Sequence, residues 1–257
     1  MKPPQQDPEA FPGNTQILVS PQGEFIPSTS LVDVFVQGRE AYQWRDSPSS
    51  SQQRVIDVEQ EVSNLVTDLT PERARKIVSV VLRWEGINGN SQGIIDDAGP
   101  DICVEMKSCI RSLACATAGS LNRLSQLPGL TLVKASRIYR FCCPDNGASL
   151  DGHSSYFFNS VPIRSCSARS GFATEFRREW ATEKRTTSRL AIDRPNLYRK
   201  NLTEYVQVYL PLLTRLAQFL NEHKVTYSCA ATGQQKPWRP IDVQMAGHQW
   251  WSENGRR

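Results

Sequence analysis

The residues best suited to chemistry fall in one stretch, positions 127–153, which reads LPGLTLVKASRIYRFCCPDNGASLDGH. It opens on a turn, in which Pro128 fixes φ and Gly129 permits backbone geometry that other residues resist. Because the turn is short, the backbone N–H groups at the start of the next helix face outward, and such a turn can hold a phosphate. Lys134 and Arg137 follow on the same predicted helix and would add positive charge. An ordinary corner between two helices has the same pattern, so that alternative stays open.

The same stretch ends on a carboxylate, Asp151, two residues before His153. Asp151 opens a helix predicted near 151–159, and the backbone N–H groups at a helix start bind a carboxylate and keep it ionised. Asp151 is therefore the candidate catalytic residue. The alternative is that it only caps the helix, and the two roles are compatible. For His153 the pattern leaves three roles open: orienting Asp151, binding a phosphate, or packing as a structural histidine.

Hydrophobic periodicity predicts that the elements around this stretch are mostly α-helical. Residues 1–50, rich in Pro, Gln, Ser and Gly, are predicted to form an irregular arm with one short β-like run, Leu31–Val36. Residues 51–257 are expected to form the helical part, in two lobes. A helix capped by Thr70 should run to about Glu85. Other helices are expected from about residue 53 and at about 101–118, 120–126, 172–183, 201–223 (with a kink at Pro211) and 241–251, and the Gly- and Asn-rich segment 86–99 is expected to be a loop.

Positive charge is distributed unevenly along a chain of net charge +4. From Lys107 to Arg140 there are six cations and no anion, and from Arg164 to Lys200 ten cations stand against four anions. Solvated helix faces usually mix both signs, so these runs favour a polyanionic partner. The alternative is that they serve only solubility.

The seven cysteines indicate reduced thiols rather than a disulfide framework. Cys103, Cys109 and Cys115 are spaced by six residues, so they do not share a helix face, and we expect them to be buried apolar residues. No metal site formed by side chains is predicted. The sequence has no run of about 18 apolar residues and no apolar signal core at its start, which predicts a cytoplasmic protein without a membrane span.

The turn and the carboxylate together resemble the helix-hairpin-helix (HhH-GPD) DNA glycosylase superfamily. Its hairpin motif, LPGVGxxTA, is similar to LPGLTLVKAS at positions 127–136, and its catalytic Asp, in a motif like VDTHxxR, is matched by SLDGH at 149–153. Gly129 and Asp151 are 22 positions apart (151 − 129), the spacing expected of compact members. Two departures are Thr131 in place of the second glycine, which is expected either to strain the turn or to weaken the geometry of a bound cation, and Gly152 in place of the family's Thr.

The resemblance implies an all-α, two-lobed glycosylase fold with the hairpin at about 120–141. Hairpin residues would contact DNA phosphates: Gly129, Thr131, Val133, Lys134 and Arg137. Backbone carbonyls of the hairpin are a candidate site for a monovalent cation; no iron–sulfur cluster is expected, because only Cys166 and Cys229 follow Asp151. The chain length and the ending PWRPIDVQMA at positions 237–246 resemble a divergent bacterial branch related to the 8-oxoguanine glycosylases. This implies a monomer that acts on duplex DNA in the cytoplasm, at the nucleoid.

The chemistry implied is that of a monofunctional glycosylase. Members that also cleave the strand place a Lys nucleophile where this chain has Val133, and the neighbouring Lys134 points about 100° away around the helix. Asp151 would stabilise the oxocarbenium-like sugar and orient the attacking water. The excised base would be an oxidised purine, or a hypermodified base of phage DNA removed in defence. The alternatives are a non-catalytic helix-hairpin-helix DNA-binding module and a helical adaptor that binds protein.

A glycosylase flips its target base out of the duplex, which requires a wedge and a base pocket. The wedge candidates are Asn88, Asn90 and Gln92, in the predicted loop. Support or pocket candidates are His153, Tyr156 and Trp84, and further aromatic candidates are Phe157, Phe158, Trp250 and Trp251.

Overall fold

The computed structural model describes residues 11, 14–20, 24–43, 47–84, 86, 90–165 and 195–255. In these residues the protein is mostly helical, with one three-stranded and one two-stranded sheet, which confirms the coarse prediction of a helical class. The predicted helix at 172–183 and most of the charge run 164–200 lie outside the described residues. In chain order the elements are β1 (Ile17–Val19), β2 (Phe25–Pro27), α1 (Thr29–Glu40), α2 (Pro48–Thr67), α3 (Pro71–Trp84), α4 (Asn90–Asp96), α5 (Pro100–Ser112), α6 (Thr117–Ser125), α7 (Leu132–Cys142), α8 (Gly152–Ser160), β3 (Ile163–Ser165), α9 (Pro195–Glu204), a π-helical turn (Tyr205–Tyr209), α10 (Leu210–Glu222), β4 (Tyr227–Ser228), β5 (Gln235–Lys236) and α11 (Pro240–Asn254).

The N-terminal segment is ordered into strands and a helix where it is described, so the prediction of an irregular arm is wrong there. The run Leu31–Val36, predicted to be β-like, lies inside α1. Ser28 caps this helix by accepting a hydrogen bond from the Leu31 N–H at 3.3 Å. Buried residues recur at helical spacing (Leu31, Val34, Phe35, Gly38), and a short apolar run alone does not distinguish that period from a strand. β1 pairs antiparallel with β2 and parallel with β3, which ties the segment to the chain after α8.

Helix α1 packs closely against α11, at the other end of the chain. A Cβ atom on Gly38 would lie 2.5 Å from the carbonyl oxygen of Ala246, so only glycine permits this approach. Beside the crossing, the buried Arg39 donates to the buried Asp242 at 2.9 Å. Asp242 also forms an ion pair with Arg239, and Arg239 forms a second ion pair with Glu59 of α2. α11 is therefore fixed by a charge cluster as well as by apolar packing.

The other side of α11 packs against α8. A Cβ atom on Gly247 would lie 2.8 Å from the ring of Phe157, so the two helices meet with little between them. Phe157 and Phe158 are fully buried in the core, and neither is among the residues that line the pocket at Asp151. Trp250 stacks on Phe11 with 4.4 Å between ring centroids. This packing brings Gln244 and His248, one helical turn apart, to the start of α8.

The segment predicted to be a loop, 86–99, contains helix α4. Its Gly and Asn residues suggested a loop, but the apolar Ile95 is fully buried and holds the short helix against the core. Gln92 on α4 donates to Ser79 Oγ at 2.7 Å and to both carboxylate oxygens of Asp96. The Gln92 side chain is thereby held against the protein.

The long helix predicted at 201–223 is present but is interrupted by a π-helical turn immediately before Pro211. Proline has no N–H to donate, so a helix changes its hydrogen-bond register most easily at such a point. The irregularity that the structure shows is the π-turn at Tyr205–Tyr209, and the predicted kink at Pro211 itself stays a prediction.

Candidate functional site

The hairpin is formed by α6, a tight turn and α7. Gly129 has φ of +78°, in the left-handed region, and the Leu130 N–H donates to the Leu127 carbonyl at 3.0 Å to close the turn. Thr131 caps α7 with φ of −130° and accepts from the Lys134 N–H. The expectation that Thr131 strains the turn is wrong, because it stands in extended backbone that suits any residue.

Lys134 reinforces the same turn. Its ammonium group donates to the Gly129 carbonyl at 2.7 Å and to Ser91 Oγ of α4 at 2.6 Å. A monovalent cation at this carbonyl would have to displace the ammonium group. Val133 is half-buried beside it. No amine nucleophile stands at position 133.

The connection from α7 to α8 is fixed at several points, so the position of Asp151 is determined by the core. The Leu150 N–H donates to Ser136 Oγ of α7 at 2.9 Å. From the π-turn, the buried Tyr205 hydroxyl donates to the Ala148 carbonyl, and Tyr209 donates to Ser154 Oγ at 3.1 Å. Both tyrosines thus hold the segment that presents the carboxylate.

Asp151 caps α8 and accepts hydrogen bonds at both carboxylate oxygens. Oδ1 accepts from the Ser154 N–H and from His248 Nδ1, both at 2.9 Å. Oδ2 accepts from Ser154 Oγ at 2.6 Å and from the Gln244 amide. Burial alone would raise the pKa of this carboxyl group, but the interactions with His248 and Ser154 outweigh it and hold the pKa below its ordinary value. The predicted helix start and ionised cap are both present.

A small pocket opens in front of Asp151, and its walls come from three helices (α3, α7 and α11) and from connecting segments. The lining residues are Tyr42, Trp84, Arg137, Arg140, Ser149, Asp151, Gln244 and His248. The free space among them holds about one water molecule, so a larger ligand enters only if lining side chains move aside. Burial raises the pKa of Tyr42 to about 12, so its phenol stays neutral and can donate a hydrogen bond.

Two arginines of α7 face this pocket. Burial lowers the pKa of Arg137 and of Arg140 to about 10 each, so both remain charged at neutral pH at a cost in free energy. Arg140 is 1% exposed, and its guanidinium group lies 5.0 Å from the Trp84 ring centroid and 4.2 Å from that of Phe141. Its Nε and Nη2 atoms have no hydrogen-bond partner within the described chain. Arg137 lines the pocket together with Asp151, and its predicted contact with DNA phosphate stays a prediction.

The support residues predicted from sequence occupy three different positions. Trp84 lines the pocket, as expected of a pocket residue. His153 lies against His248, with 4.8 Å between ring centroids, and His248 bonds to Asp151. Tyr156 stacks on Trp251 one turn further along, at 5.7 Å and nearly parallel. α8 and α11 thus carry a row of aromatic rings leading away from the carboxylate.

The three wedge candidates are not brought to the pocket by any contact that the structure describes. Asn88 lies outside the described residues, and Asn90 is the first residue of α4. Gln92 is engaged by Ser79 and Asp96, as stated above. The wedge assignment stays a prediction.

The anion-free run from Lys107 to Arg140 does not form a continuous exposed basic face. Arg140 is enclosed in the pocket, Arg137 lines the pocket and is half-buried, and Lys134 is engaged in the turn. Arg123 is exposed but pairs with Glu105, which precedes the run, at 2.7 Å. Charge spacing along the sequence does not reveal burial, so this run by itself does not predict a basic surface, and the polyanionic partner inferred from it stays a prediction.

Sequence reasoning missed three residues that surround Asp151. Gln244 and His248 come 93 and 97 positions after it, and Arg140 was counted only as one charge in a run. The available signal was the i,i+4 spacing of Gln244 and His248 on one face of the last helix, which places two polar side chains side by side among apolar neighbours.

Other candidate sites carry less chemistry. A larger open groove, lined by residues such as Tyr139, Pro211 and Arg215, contains no acid–base pair. Within the described residues no group of three or more His, Cys, Asp or Glu residues is placed to hold a metal ion, and Cys115, expected to be buried, is exposed. None of the helices in the described ranges is both long and apolar enough to cross a membrane. Comparisons with protein-family models, with curated proteins and with solved structures find no match.

Proposed function

We propose that the protein is a monofunctional DNA glycosylase, with Asp151 as the catalytic carboxylate and a two-lobed helix-hairpin-helix fold. The observation that carries the proposal is the ionised, enclosed carboxylate at the start of α8, held by four hydrogen bonds beside a pocket with aromatic walls. The hairpin that precedes it at the expected spacing would hold the DNA backbone. The partner would be duplex DNA with a damaged or modified base, bound by a monomer in the bacterial cytoplasm at the nucleoid.

The hydrogen bonds on Asp151 assign it an electrostatic role. A carboxylate offers about four acceptor positions, and two donors already occupy each oxygen. Asp151 in this state has no free position for a water molecule, so it stabilises the positive charge that develops on the deoxyribose rather than orienting water. Because these donors are held in position by the fold, the negative charge of Asp151 stays in place while positive charge develops on the deoxyribose.

The geometry also favours base release without strand cleavage. Strand cleavage in such enzymes requires an amine nucleophile at the sugar. The nearest lysine on α7, Lys134, is engaged by Gly129 and Ser91. The product would therefore be an abasic site in an intact strand.

The decisive test is replacement of the carboxylate, Asp151→Asn, with Asp145→Asn as the matched control. Asp145 is exposed and lies on the same connecting segment. Duplexes containing oxidised purines and DNA carrying hypermodified phage bases are incubated with each protein, and the freed base is identified by mass spectrometry. We expect release by the wild type and by Asp145→Asn, a loss of at least about 100-fold in Asp151→Asn, and strand breaks only after alkali. Equal release by Asp151→Asn would refute the catalytic role, and the base released decides between repair and phage defence.

A non-catalytic DNA-binding module is the second candidate, and the saturated carboxylate favours it. An Asp151 with every acceptor position filled is what a purely structural cap requires. In that case the wild type binds duplex DNA with a steep salt dependence, Asp151→Asn binds equally well, and no base is released from any substrate.

A further inference from the structure

The guanidinium group of Arg140 is enclosed but incompletely bonded, which is unusual for a charge in a protein interior. Buried charges are normally paired and hydrogen-bonded, because leaving water is costly. Nε and Nη2 of Arg140 have neither a carboxylate nor any other acceptor within the described chain, and the group faces the pocket of Asp151. The aromatic faces of Trp84 and Phe141 compensate only in part.

The pocket as a whole carries more positive than negative charge. Arg137 and Arg140 contribute two positive charges and Asp151 one negative charge, which leaves a surplus of one (2 − 1). Glu59 and Asp242 attract Arg140 at longer range, but neither forms a hydrogen bond with it. A ligand that brings one negative charge would balance the pocket.

The free atoms also define the shape of that ligand. Nε–H and Nη2–H of a guanidinium group are parallel donors on one edge, and they match two adjacent acceptor atoms in a plane. Nucleobases offer such pairs, namely O6 with N7 on a guanine-type purine and O2 with N3 on a cytosine-type pyrimidine. Arginine accepts no hydrogen bond, so a base edge with a donor at either position would leave two donors facing each other.

We propose that Arg137 and Arg140 bind the departing base through two adjacent acceptors and stabilise the negative charge that bond cleavage leaves on it. This inference rests on the proposed glycosylase function and names its leaving-group site. Asp151 and the two arginines then act on opposite charges of the same transition state, the carboxylate on the sugar and the guanidinium groups on the base.

The reaction balances without a cofactor. The bond between C1′ and the base nitrogen breaks, and its electron pair stays on the base. The oxygen of a water molecule forms a bond to C1′ and loses a proton to solvent. The base anion takes a proton from solvent on release, so one water molecule is consumed for each abasic sugar and free base formed.

Binding of planar anions to the intact protein tests the site without requiring activity. The probes are urate and 5-nitrouracil, which at pH 7.5 are anions with a deprotonated ring nitrogen beside a carbonyl oxygen. They are compared with the neutral bases hypoxanthine and uracil, and with inorganic phosphate as a charged but non-planar control. Calorimetric titration should show each planar anion binding at least 10-fold more tightly than its neutral counterpart. Preference for urate over 5-nitrouracil identifies a purine site, and the reverse preference identifies a pyrimidine site.

The variants are Arg140→Met, Arg140→Lys and, as control, Arg111→Met, which removes an exposed charge on α5. Arg140→Met should lose at least 10-fold in affinity for urate or 5-nitrouracil. The affinity of Arg140→Lys should lie between those of the wild type and Arg140→Met, because lysine keeps the charge but not the pair of parallel donors. The affinity of Arg111→Met should match that of the wild type. Circular dichroism of each variant establishes that it is folded. The proposal is overturned by a wild type that binds neither anion at millimolar concentration, by unchanged affinity in Arg140→Met, or by phosphate binding as tightly as the planar anions.

Failure of this inference and failure of the proposed function give different results. If planar anions bind in an Arg140-dependent way but no DNA releases a base, the proposed glycosylase function is refuted and the anion site is still supported. Conversely, if base release depends on Asp151 while Arg140→Met slows good and poor leaving bases by the same factor, the carboxylate assignment stands and the leaving-group site is wrong. A leaving-group role instead requires that Arg140→Met slow the poorer leaving bases more.

Discussion

Replacing Arg140 by methionine should stabilise the protein in the absence of a ligand, although the same change removes the proposed anion site. Burial lowers the pKa of Arg140 to about 10, and a fall of this size corresponds to about 3 kcal/mol against the charged form in the folded state. Methionine has a similar length and keeps the packing against Trp84 and Phe141, but it loses cation–π contacts worth about 1–2 kcal/mol. The net expectation is a gain of about 1–2 kcal/mol in the free energy of unfolding.

Thermal and denaturant unfolding measure this gain. For a chain of this size it corresponds to a rise in Tm of roughly 2–8 °C. The matched control is Arg39→Met, since Arg39 is equally buried but is paired with Asp242 at 2.9 Å. Removing one partner of a buried pair costs about 3–5 kcal/mol, so Arg39→Met should be strongly destabilised. If Arg140→Met loses stability to a similar extent, the charge of Arg140 is compensated within the ligand-free protein, and the argument for a missing anion fails.

Two further predictions concern the elements that hold the site. Gly38→Ala places a methyl group 2.5 Å from the Ala246 carbonyl oxygen and should cost about 2 kcal/mol or more in unfolding free energy, whereas Gly119→Ala, in a helix with open space around the new atom, should gain up to about 1 kcal/mol. Equal effects of the two changes would mean that α1 and α11 can separate freely. Burial alone would raise the pKa of Asp242, but the charge of Arg39 helps to hold it at about 2. Because this folded-state pKa lies below the unfolded value of about 3.9, the stabilisation is complete above about pH 4 and is lost between about pH 4 and 2, in total about 2–3 kcal/mol. Asp242→Asn should remove that part of the acid dependence measured by urea unfolding, and an unchanged acid profile would contradict the assignment.

Local chemistry was predictable from the sequence where one or two residues determine it. Pro128 and Gly129 determine the hairpin turn, and Thr70 and Asp151 each cap the helix that they were expected to cap. These features depend on neighbours within a few positions, so no long-range information is needed.

The surroundings of Asp151 were not predictable, because they depend on contacts between distant parts of the chain. His248 reaches the carboxylate only because α11 packs on α8, and that approach depends on a glycine at position 247. Composition misled in two places. The Gly- and Asn-rich segment around Gln92 is a helix held by tertiary contacts, and the apolar run at Leu31 is helical because it faces α11.

The π-turn has a consequence for changes in chain length. A π-turn is equivalent to an α-helix that has taken in one extra residue without unwinding. Loss of a single residue between Tyr205 and Tyr209 would restore an ordinary helix and rotate its N-terminal part by about 100°. Either Tyr205 would release the Ala148 carbonyl or Tyr209 would release Ser154, since the two hydroxyl groups reach their partners only in the present register. The π-turn thus determines the position of Asp151. A chain one residue shorter at this point would still be helical, but the segment that carries the carboxylate would be misplaced.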